Sequence, residues 1–518
     1  MLKTFTLLAC LILSSCMMVG PNYKEPKTQV AAHWAKKNHS VKESPIKNIK
    51  WWKIFHDPVL TSLINQSYQN NLSLQSAGVR VLQARAQLAQ SVGELYPQTQ
   101  ALAGNYTYNR IGGGSLQGLL PQSFDTALMG FSANWEIDFW GKYRRAIQSN
   151  NAAFLASTAA YDNALVTLIA DVAGSYIKIR TIEAQIKVTK ANIQVQIMGL
   201  KIARARFNAG QTSLVDVEQA QTELSETQAK LPSLISELQR QKDALTLLLG
   251  TIPNGADGLL QKNHGIPKAP RTVAVGIPKE TLARRPDIYQ ARQEAIAQGA
   301  TVGATQANLY PALSLAGTFA FTSNNIGTNS ITDIFHWSNR AITAGPGFTW
   351  PVLNYGQITN AVRAQDAAFQ QALLNYMNLV LKAQQEVQDN ITAYIEAKNA
   401  ERYLTQANNA ATKTFKLTLI RYKEGETDFT PVLDAEQQLL RIQLSLASAQ
   451  GDIPQAFVAL YRAFGGGWQI RDGNDIVPQQ IKEEMAARTN WGTLLKQENH
   501  QPPVTKRQKF KQFYLPKW

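Results

Sequence analysis

Six histidines are the first residues to test for catalysis or metal binding. His33, His39, His56, His264, His336 and His500 are scattered along 518 residues, and no His-x-x-x-His or Glu-x-x-His pair sets two ligands on one helix face. No glycine-rich phosphate loop of the Walker type is present. Gly112-Gly113-Gly114 lies between two strand-like runs and reads as a hairpin loop. The serines and aspartates lack a nucleophile-elbow context. Both cysteines, Cys10 and Cys16, fall within the first sixteen residues, so the rest of the chain offers no disulfide framework and no thiolate metal site. An enzyme is not expected, nor a cofactor or metal. With 52 Lys plus Arg against 37 Asp plus Glu the charge is +15, but it is spread out rather than gathered into the stripe a nucleic-acid binder needs. A hydrophobic content of 44% excludes disorder. No stretch beyond the N-terminus reaches the roughly 18 uncharged apolar residues of a membrane-spanning helix.

One thiol does have a chemical context. Lys3 precedes the apolar run Phe5 to Leu13, and the small residues Ser14 and Ser15 stand directly before Cys16. Leu13-Ser14-Ser15-Cys16 resembles the lipobox of bacterial lipoprotein signals, in which residues 1–15 are removed and Cys16 carries acyl chains. At ~0.8 kcal/mol per buried methylene, several chains give durable anchoring where one is marginal. Met17, rather than Asp, follows the cysteine, which by the usual sorting rule favours the outer membrane.

A tandem duplication positions everything else. Arg206-Phe207-Asn208-Ala209-Gly210 aligns with Arg421-Tyr422-Lys423-Glu424-Gly425 at an offset of 215 residues (206 to 421), and Val217, Ala220 and Leu224 then meet Val432, Ala435 and Leu439. Trp135 and Gly141 fall on Trp350 and Gly356, and Leu95-Tyr96-Pro97 matches Leu309-Tyr310-Pro311 one residue out of step. Each half predicts the same order of elements. A helix ends at Tyr-Pro, two strands follow, and a very long helix begins after Gly141 or Gly356.

The strands alternate with period two. Met129, Phe131, Ala133, Trp135 and Ile137 share one face; so do Leu313, Leu315, Gly317, Phe319 and Phe321; so do Ile342, Ala344, Pro346 and Phe348; Leu102, Gly104, Tyr106 and Tyr108 form a weaker fourth run. Their length is that of tilted strands crossing a bilayer, with one face to lipid and one to a polar lumen. Four strands cannot close a barrel, and open edges are not tolerated in hydrocarbon. Two, three or four copies would supply eight, twelve or sixteen strands, and a conducting interior argues for at least three.

Residues 141–207 and 356–421 contain no proline and read as helices that reach roughly 100 Å each at 1.5 Å per residue. They turn at Gly210 and Gly425. The return in the first half is two pieces, 213–249 and 279–308; in the second half, 429–464 and 58–94 serve. Val217, Leu224, Leu231, Leu238 and Leu245 recur every seven residues as a packing seam, with Leu214, Ile235 and Leu249 in a second row. Pro232 is expected to kink that seam or open one turn.

Gly20-Pro21-Asn22-Tyr23, Trp51-Trp52-Lys53-Ile54-Phe55-His56-Asp57-Pro58, Asp138-Phe139-Trp140-Gly141-Lys142 and Arg284-Arg285-Pro286-Asp287 resemble motifs of outer membrane factors. The chain is similar to the TolC-like family, specifically to the NodT-type lipoproteins that serve resistance-nodulation-division (RND) efflux pumps. The resemblance spans about residues 13–468. It implies an α+β membrane protein in which four transmembrane strands per protomer form a shared trimeric 12-stranded β-barrel, continued by a long periplasmic α-helical barrel of coiled-coil hairpins, with a mixed equatorial region. It implies an organisation of signal peptide (1–15), lipidated N-terminal equatorial segment (16–57), a first repeat (58–265; strands about 98–110 and 126–137, hairpin about 141–249), a second repeat (266–465; strands about 311–323 and 340–352, hairpin about 356–464) and a C-terminal equatorial segment with a basic tail (466–518). The implied partners are two further copies, outer-membrane lipid, a periplasmic membrane-fusion adaptor and a proton-driven inner-membrane RND transporter, and the implied activity is passive export of drugs or other small molecules.

The resemblance also places a gate where the hairpins turn. Leu433-Asp434-Ala435 aligns with the family's closing tripeptide, Asp434 with its aperture aspartate, and Lys423 with a basic gate residue. Thr430 stands where an apolar plug is common, and Gln437 where a basic residue is frequent, so fewer ion pairs are expected here. Asp216 is a second acid near the same turn, opposite Pro431 in the other half. Carboxylates repeated around a narrow axis repel one another and select cations. The expected contacts join Asp434 and Asp428 to Lys423 or Arg421 and to Arg204 or Arg206 of the adjoining hairpin, broken when an adaptor docks. The tail from Gln501, with five cations, four aromatics and no acids, reads as a basic terminus. Type I protein secretion on the same architecture, and a periplasmic scaffold using only the helical surface, are the alternative functions.

Overall fold

A computed structural model describes residues 18–35, 39–44, 50–112, 121–261, 265–472 and 474–496. Cys10, Cys16, His264, His500, most of the Gly112-Gly113-Gly114 loop and the basic tail lie outside the described residues.

The first half runs β1 (Val41–Glu43), α1 (Pro58–Asn70), α2 (Leu72–Gly93), β2 (Thr99–Arg110), β3 (Ser123–Ile137), α3 (Lys142–Asn208) and α4 (Leu214–Leu248). The second runs α5 (Asp257–Leu260), β4 (Val273–Val275), α6 (Pro278–Ala283), α7 (Pro286–Gln306), β5 (Ala312–Asn324), β6 (Arg340–Thr349), α8 (Gln357–Lys423) and α9 (Thr430–Ala463), with α10 (Gln479–Arg488) after it. Helices α3 and α8 are both 67 residues long and begin and end at the same 215-residue offset (142 to 357, 208 to 423). The glycines that start and stop them obey it too. Gly141 and Gly356, Gly210 and Gly425, and Gly250 and Gly465 are three pairs, all with positive φ, the backbone state that glycine adopts without a Cβ penalty.

β2, β3, β5 and β6 form one antiparallel sheet in that order. The register sets Leu102 opposite Phe131, Phe131 opposite Phe319, and Phe319 opposite Ile342, so the apolar alternation of every strand falls on one face. That face is bare: Leu102 is 70% exposed, Ile342 63% and Phe348 71%. The other face carries small and polar residues, and Gly130 has no room for a Cβ, which would meet Ala320 Cβ at 2.4 Å. The outer strands β2 and β6 each have one edge unpaired among the described residues. Trp135 Nε1 donates to Leu95 O at 3.1 Å and Trp350 Nε1 to Leu309 O at 3.0 Å, so the sheet is tied to α2 and to the turn after α7 by the same bond in both repeats.

The largest core lies below the sheet, where α1, α2, the middle of α3 and the end of α9 meet around Trp51, Trp52, Tyr176 and Phe457. The motifs that carry the family resemblance are joints in this framework. Asp57 caps α1 by accepting from Val59 N and Leu60 N, and also accepts from Tyr176 Oη of α3 at 2.7 Å. Asp138 accepts from Tyr143 N and Arg144 N at the start of α3. Arg285 donates to Ala463 O at the end of α9 and pairs with Asp287 and with Glu386 of α8. Buried Arg145 donates to Val19 O, Gly20 O and Asn22 Oδ1, fastening the chain's first described residues beside α7.

Two expectations differ from what is observed. The return helix over 58–94 breaks at Asn71, which is extended, accepts from Leu74 N to start α2 and donates to Leu248 O of α4; the turn at Gly250 packs against Asn70 there and leaves no room for a continuous helix. α4 runs unbroken past Pro232, and α9 past Pro454. Among the described residues, α3 alone has a stretch long and apolar enough to cross a membrane, and 61% of that stretch is buried within the chain.

Candidate functional site at the hairpin tips

The far ends of α3 and α4 and of α8 and α9 pack as one unit around a second apolar core that includes Leu200, Val217, Leu224, Phe415, Tyr422, Phe429 and Leu439. The seven-residue seam supplies Val217 and Leu224 to it and Leu245 to the larger core, whereas Leu214 and Ile235 of the second row are exposed and Leu249 is buried in the larger core. Polar bonds run between α3 or α4 and α9 along their length. Arg462 meets Asp171, Gln455 donates to Gly174 O, Gln185 to Ser448, Asn192 to Gln443, and Gln437 to Glu223.

Both turns use one backbone device. The N–H of Gln211 donates to Arg206 O at 2.9 Å, and that of Glu426 to Arg421 O at 3.0 Å, with Gly210 and Gly425 left-handed between them. This six-to-one closure satisfies the last carbonyls of α3 and α8. Nothing lies within 4 Å of a Cβ at Gly210, so the demand there is conformational rather than steric.

The side chains do not match. Arg206 reaches across from the first hairpin, stacks its guanidinium 4.5 Å above the Tyr422 ring and donates to Tyr422 O, a carbonyl in the last turn of α8 where a cation is favoured. Tyr422 Oη donates to Asp216 Oδ2 at 3.4 Å, and Thr212 Oγ1 donates to the same oxygen. Asp216 and Tyr422 are buried, and Phe429 packs edge-on against Tyr422 at 5.3 Å. Burial, and then the Asp216 charge, raises the Tyr422 hydroxyl above its ordinary value, so it remains a neutral donor. The result is a latch made of Arg206, Tyr422, Asp216 and Thr212 that holds one hairpin against the other.

The other residues expected at the gate are arranged differently from the expected network within the chain. Arg421 pairs with Glu426 of its own turn at 3.2 Å, both side chains more than 60% exposed. Arg204 donates to Gln221 at 3.1 Å. Lys423, Asp428, Thr430 and Asp434 are exposed, and Lys423, Asp428 and Asp434 make no ion pair within the chain among the described residues. The cause is geometric. Asp428 and Asp434 sit on the solvent side of the second turn and the first turns of α9, while Arg206 is committed to the α8 terminus. Sequence reasoning missed Tyr422 and Thr212. The available clue was that Tyr422 aligns with Phe207, a hydroxyl added to one of two otherwise equivalent aromatic positions.

Among the described residues no group of three His, Cys, Asp or Glu side chains is placed to hold a metal ion. Two helical hairpins are joined at their ends by a shared apolar core and a small number of polar contacts.

The outer membrane efflux protein family matches residues 63–251 and 277–466, one block in each repeat. Nodulation protein T of Rhizobium leguminosarum bv. trifolii is 27% identical over 88% of this chain and 96% of its own length. The pyoverdine export outer membrane protein OpmQ of Pseudomonas putida is 28% identical over 89% and 97%, and the probable outer membrane lipoprotein SilC of Salmonella typhimurium 25% over 90% and 99%. Among solved structures, the outer-membrane channel OprN superposes with a TM-score of 0.81 at 29% identity, covering 87% of this chain and all of that one. The Campylobacter jejuni CmeC channel has the same fold at 20% identity, also with a TM-score of 0.81. The chain therefore belongs to the outer membrane efflux protein family, a family of transport channels, and is an outer-membrane efflux channel component that extends into the periplasm.

Proposed function

We propose that this chain is one third of a trimeric conduit that carries small molecules from the periplasm to the exterior for an RND-type transporter and its periplasmic adaptor. The observation that carries the reading is the sheet: an exposed, continuous apolar face on four strands whose two outer edges are unpaired among the described residues. In hydrocarbon such edges must close on other strands, and β6 of one copy against β2 of the next gives twelve strands around a polar lumen. Aromatic residues gather at both ends of the face, Tyr106, Tyr108, Phe335 and Trp337 at one and Trp135, Trp140, Tyr310 and Trp350 at the other, the interfacial positions such rings favour. Val19 N donates to Trp140 O, and Met18 packs on Gly141. Met18 and Val19 thus lie at the end of the strands nearest α3, which supports acyl chains on Cys16 entering the same bilayer from its periplasmic side. Pyoverdine export and toluene efflux, named for relatives, support small molecules as the cargo class.

In this reading the tips are the gate. Opening separates the α8–α9 hairpin from α3–α4 by breaking the contacts of Arg206 and Asp216 with Tyr422. Asp428 and Asp434, unpaired within the protomer, stand with Lys423, Arg421 and Thr430 where three copies face one another, and repeated carboxylates there select cations. Purified protein is expected to migrate as a heat-dissociable trimer and to conduct in planar bilayers, with cation preference lowered by Asp434→Asn plus Asp428→Asn. Stable monomers that keep all their sheet content in detergent would overturn the reading.

A further inference from the structure

Between the hairpins, further along α4 and α9 from the latch, lies a pair of acids that the gate as described does not use. Glu223 of α4 and Glu436 of α9 are each only 4% exposed. Glu223 accepts from Gln437 Nε2 at 2.7 Å and from Gln196 Nε2 at 3.4 Å. Glu436 has no hydrogen bond or counter-ion among the described residues. Of the ionisable groups on the helices packed against it, only the Glu223 carboxylate acts on it. The α3 side offers the uncharged amides of Asn192 and Gln196, and α8 contributes Ala411 and Phe415 to the surrounding apolar cluster. With no cation beside it among the described residues, burial and the neighbouring Glu223 carboxylate favour the protonated form of Glu436. Beside Glu223, Gln196 Oε1 is a buried acceptor with no donor among the described residues. An open groove lined by Thr222, Glu223, Leu433 and Gln437 connects the cluster to solvent.

We propose that Glu223 and Glu436 are a proton-operated clasp between the two hairpins: with one proton held the tips stay packed, and on its loss two like charges face each other across the α4–α9 seam and the hairpins part. Burial first, and the Glu223 charge second, push the Glu436 carboxyl up to about 7. Its affinity for a proton is thus higher in the packed tip than in a solvated one. The clasp's contribution is complete below the ordinary glutamate range and is lost as pH rises through about 7. Mild acid tightens the tip and mild alkali loosens it, independently of whether the protein conducts.

Amide hydrogen exchange of the detergent-solubilised full chain tests this without relying on channel activity. After correction for the intrinsic pH dependence of exchange, tip peptides from the starts of α4 and α9 are expected to open about tenfold more readily at about pH 8 than at about pH 6, the ratio given by a carboxyl that titrates near 7 when packed and at its ordinary value when parted. Glu436→Gln is expected to abolish this step while leaving peptides of the equatorial core unchanged. Glu223→Gln, by removing the like charge, is expected to move the step to lower pH. A wild-type tip without the step, or a Glu436→Gln tip that retains it, overturns the proposal.

Discussion

The two hairpin turns are the same backbone put to different uses. Both close through a six-to-one bond around a left-handed glycine, and both present an arginine one residue before an aromatic ring, Arg206-Phe207 and Arg421-Tyr422. Yet Arg206 spans to the other hairpin, while Arg421 stays on the surface of its own turn. Asp216 receives two hydroxyls, while its counterpart is Pro431, which has no side-chain acceptor. Duplication preserves the glycines because they fix where a helix of about 100 Å ends. The side chains around them are free to diverge. A contact between unlike halves then forms in one direction only, Arg206 and Asp216 gripping Tyr422, and this leaves Lys423, Asp428 and Asp434 exposed and outside any ion pair among the described residues.

The largest break in this asymmetry is Tyr422→Ala. It removes a fully enclosed ring from the small tip core along with the hydroxyl bonded to Asp216 and the face on which Arg206 stacks, and leaves only the backbone carbonyl that Arg206 also bonds. Burial of such a ring is worth about 3–5 kcal/mol, enough to move the tip from closed to open by more than a hundredfold. Conductance of reconstituted protein, and entry of large antibiotics into cells, should rise sharply, with exchange protection lost at the tip and kept around Trp51 and Phe457. Phe207→Ala, at the equivalent position in the other half, is expected to do much less, because Phe207 is 40% exposed.

Asp216→Ala comes next. It deletes the charged acceptor shared by Thr212 and Tyr422 while sparing the stacking of Arg206, and hydrogen bonds to charged groups are worth about 1.5–3 kcal/mol. Tip opening should increase about ten- to a hundredfold, read by the same exchange measurement. Pro431→Ala in the other repeat should change it little, since no side-chain bond is lost.

Much of this architecture was legible in the sequence for a physical reason. Glycine at a left-handed position, alternation on a sheet with one apolar face, and long runs without proline are local constraints, and they located β2, β3, β5, β6, α3 and α8 to within a few residues. The break at Asn71 was not legible, because it depends on the turn at Gly250 arriving from 180 residues away. Nor was the continuity of α4 past Pro232. At the tip, Asp216 and Arg206 were identifiable as charges near a turn, but their partner Tyr422 follows only from the side-by-side packing of the two hairpins. Glu223 and Glu436 are acids on helices otherwise rich in polar residues, and nothing in their spacing distinguishes a buried carboxylate from a solvated one.

Arg421→Ala gives the smallest expected effect and the sharpest contrast with Arg206→Ala. Its pairing with Glu426 is exposed on both sides, and exposed pairs contribute about 0–1 kcal/mol, less as salt rises. Within the protomer, therefore, tip exchange should be unchanged. Arg206→Ala removes a stacked cation that also holds the end of α8, worth about 0.5–2 kcal/mol for the stacking alone, and should raise tip exchange several-fold. If Arg421→Ala leaves exchange untouched but increases conductance of the assembled protein, the arginine acts between copies rather than within one. If both substitutions loosen the isolated tip equally, the two turns are not specialised, and the one-directional latch is wrong.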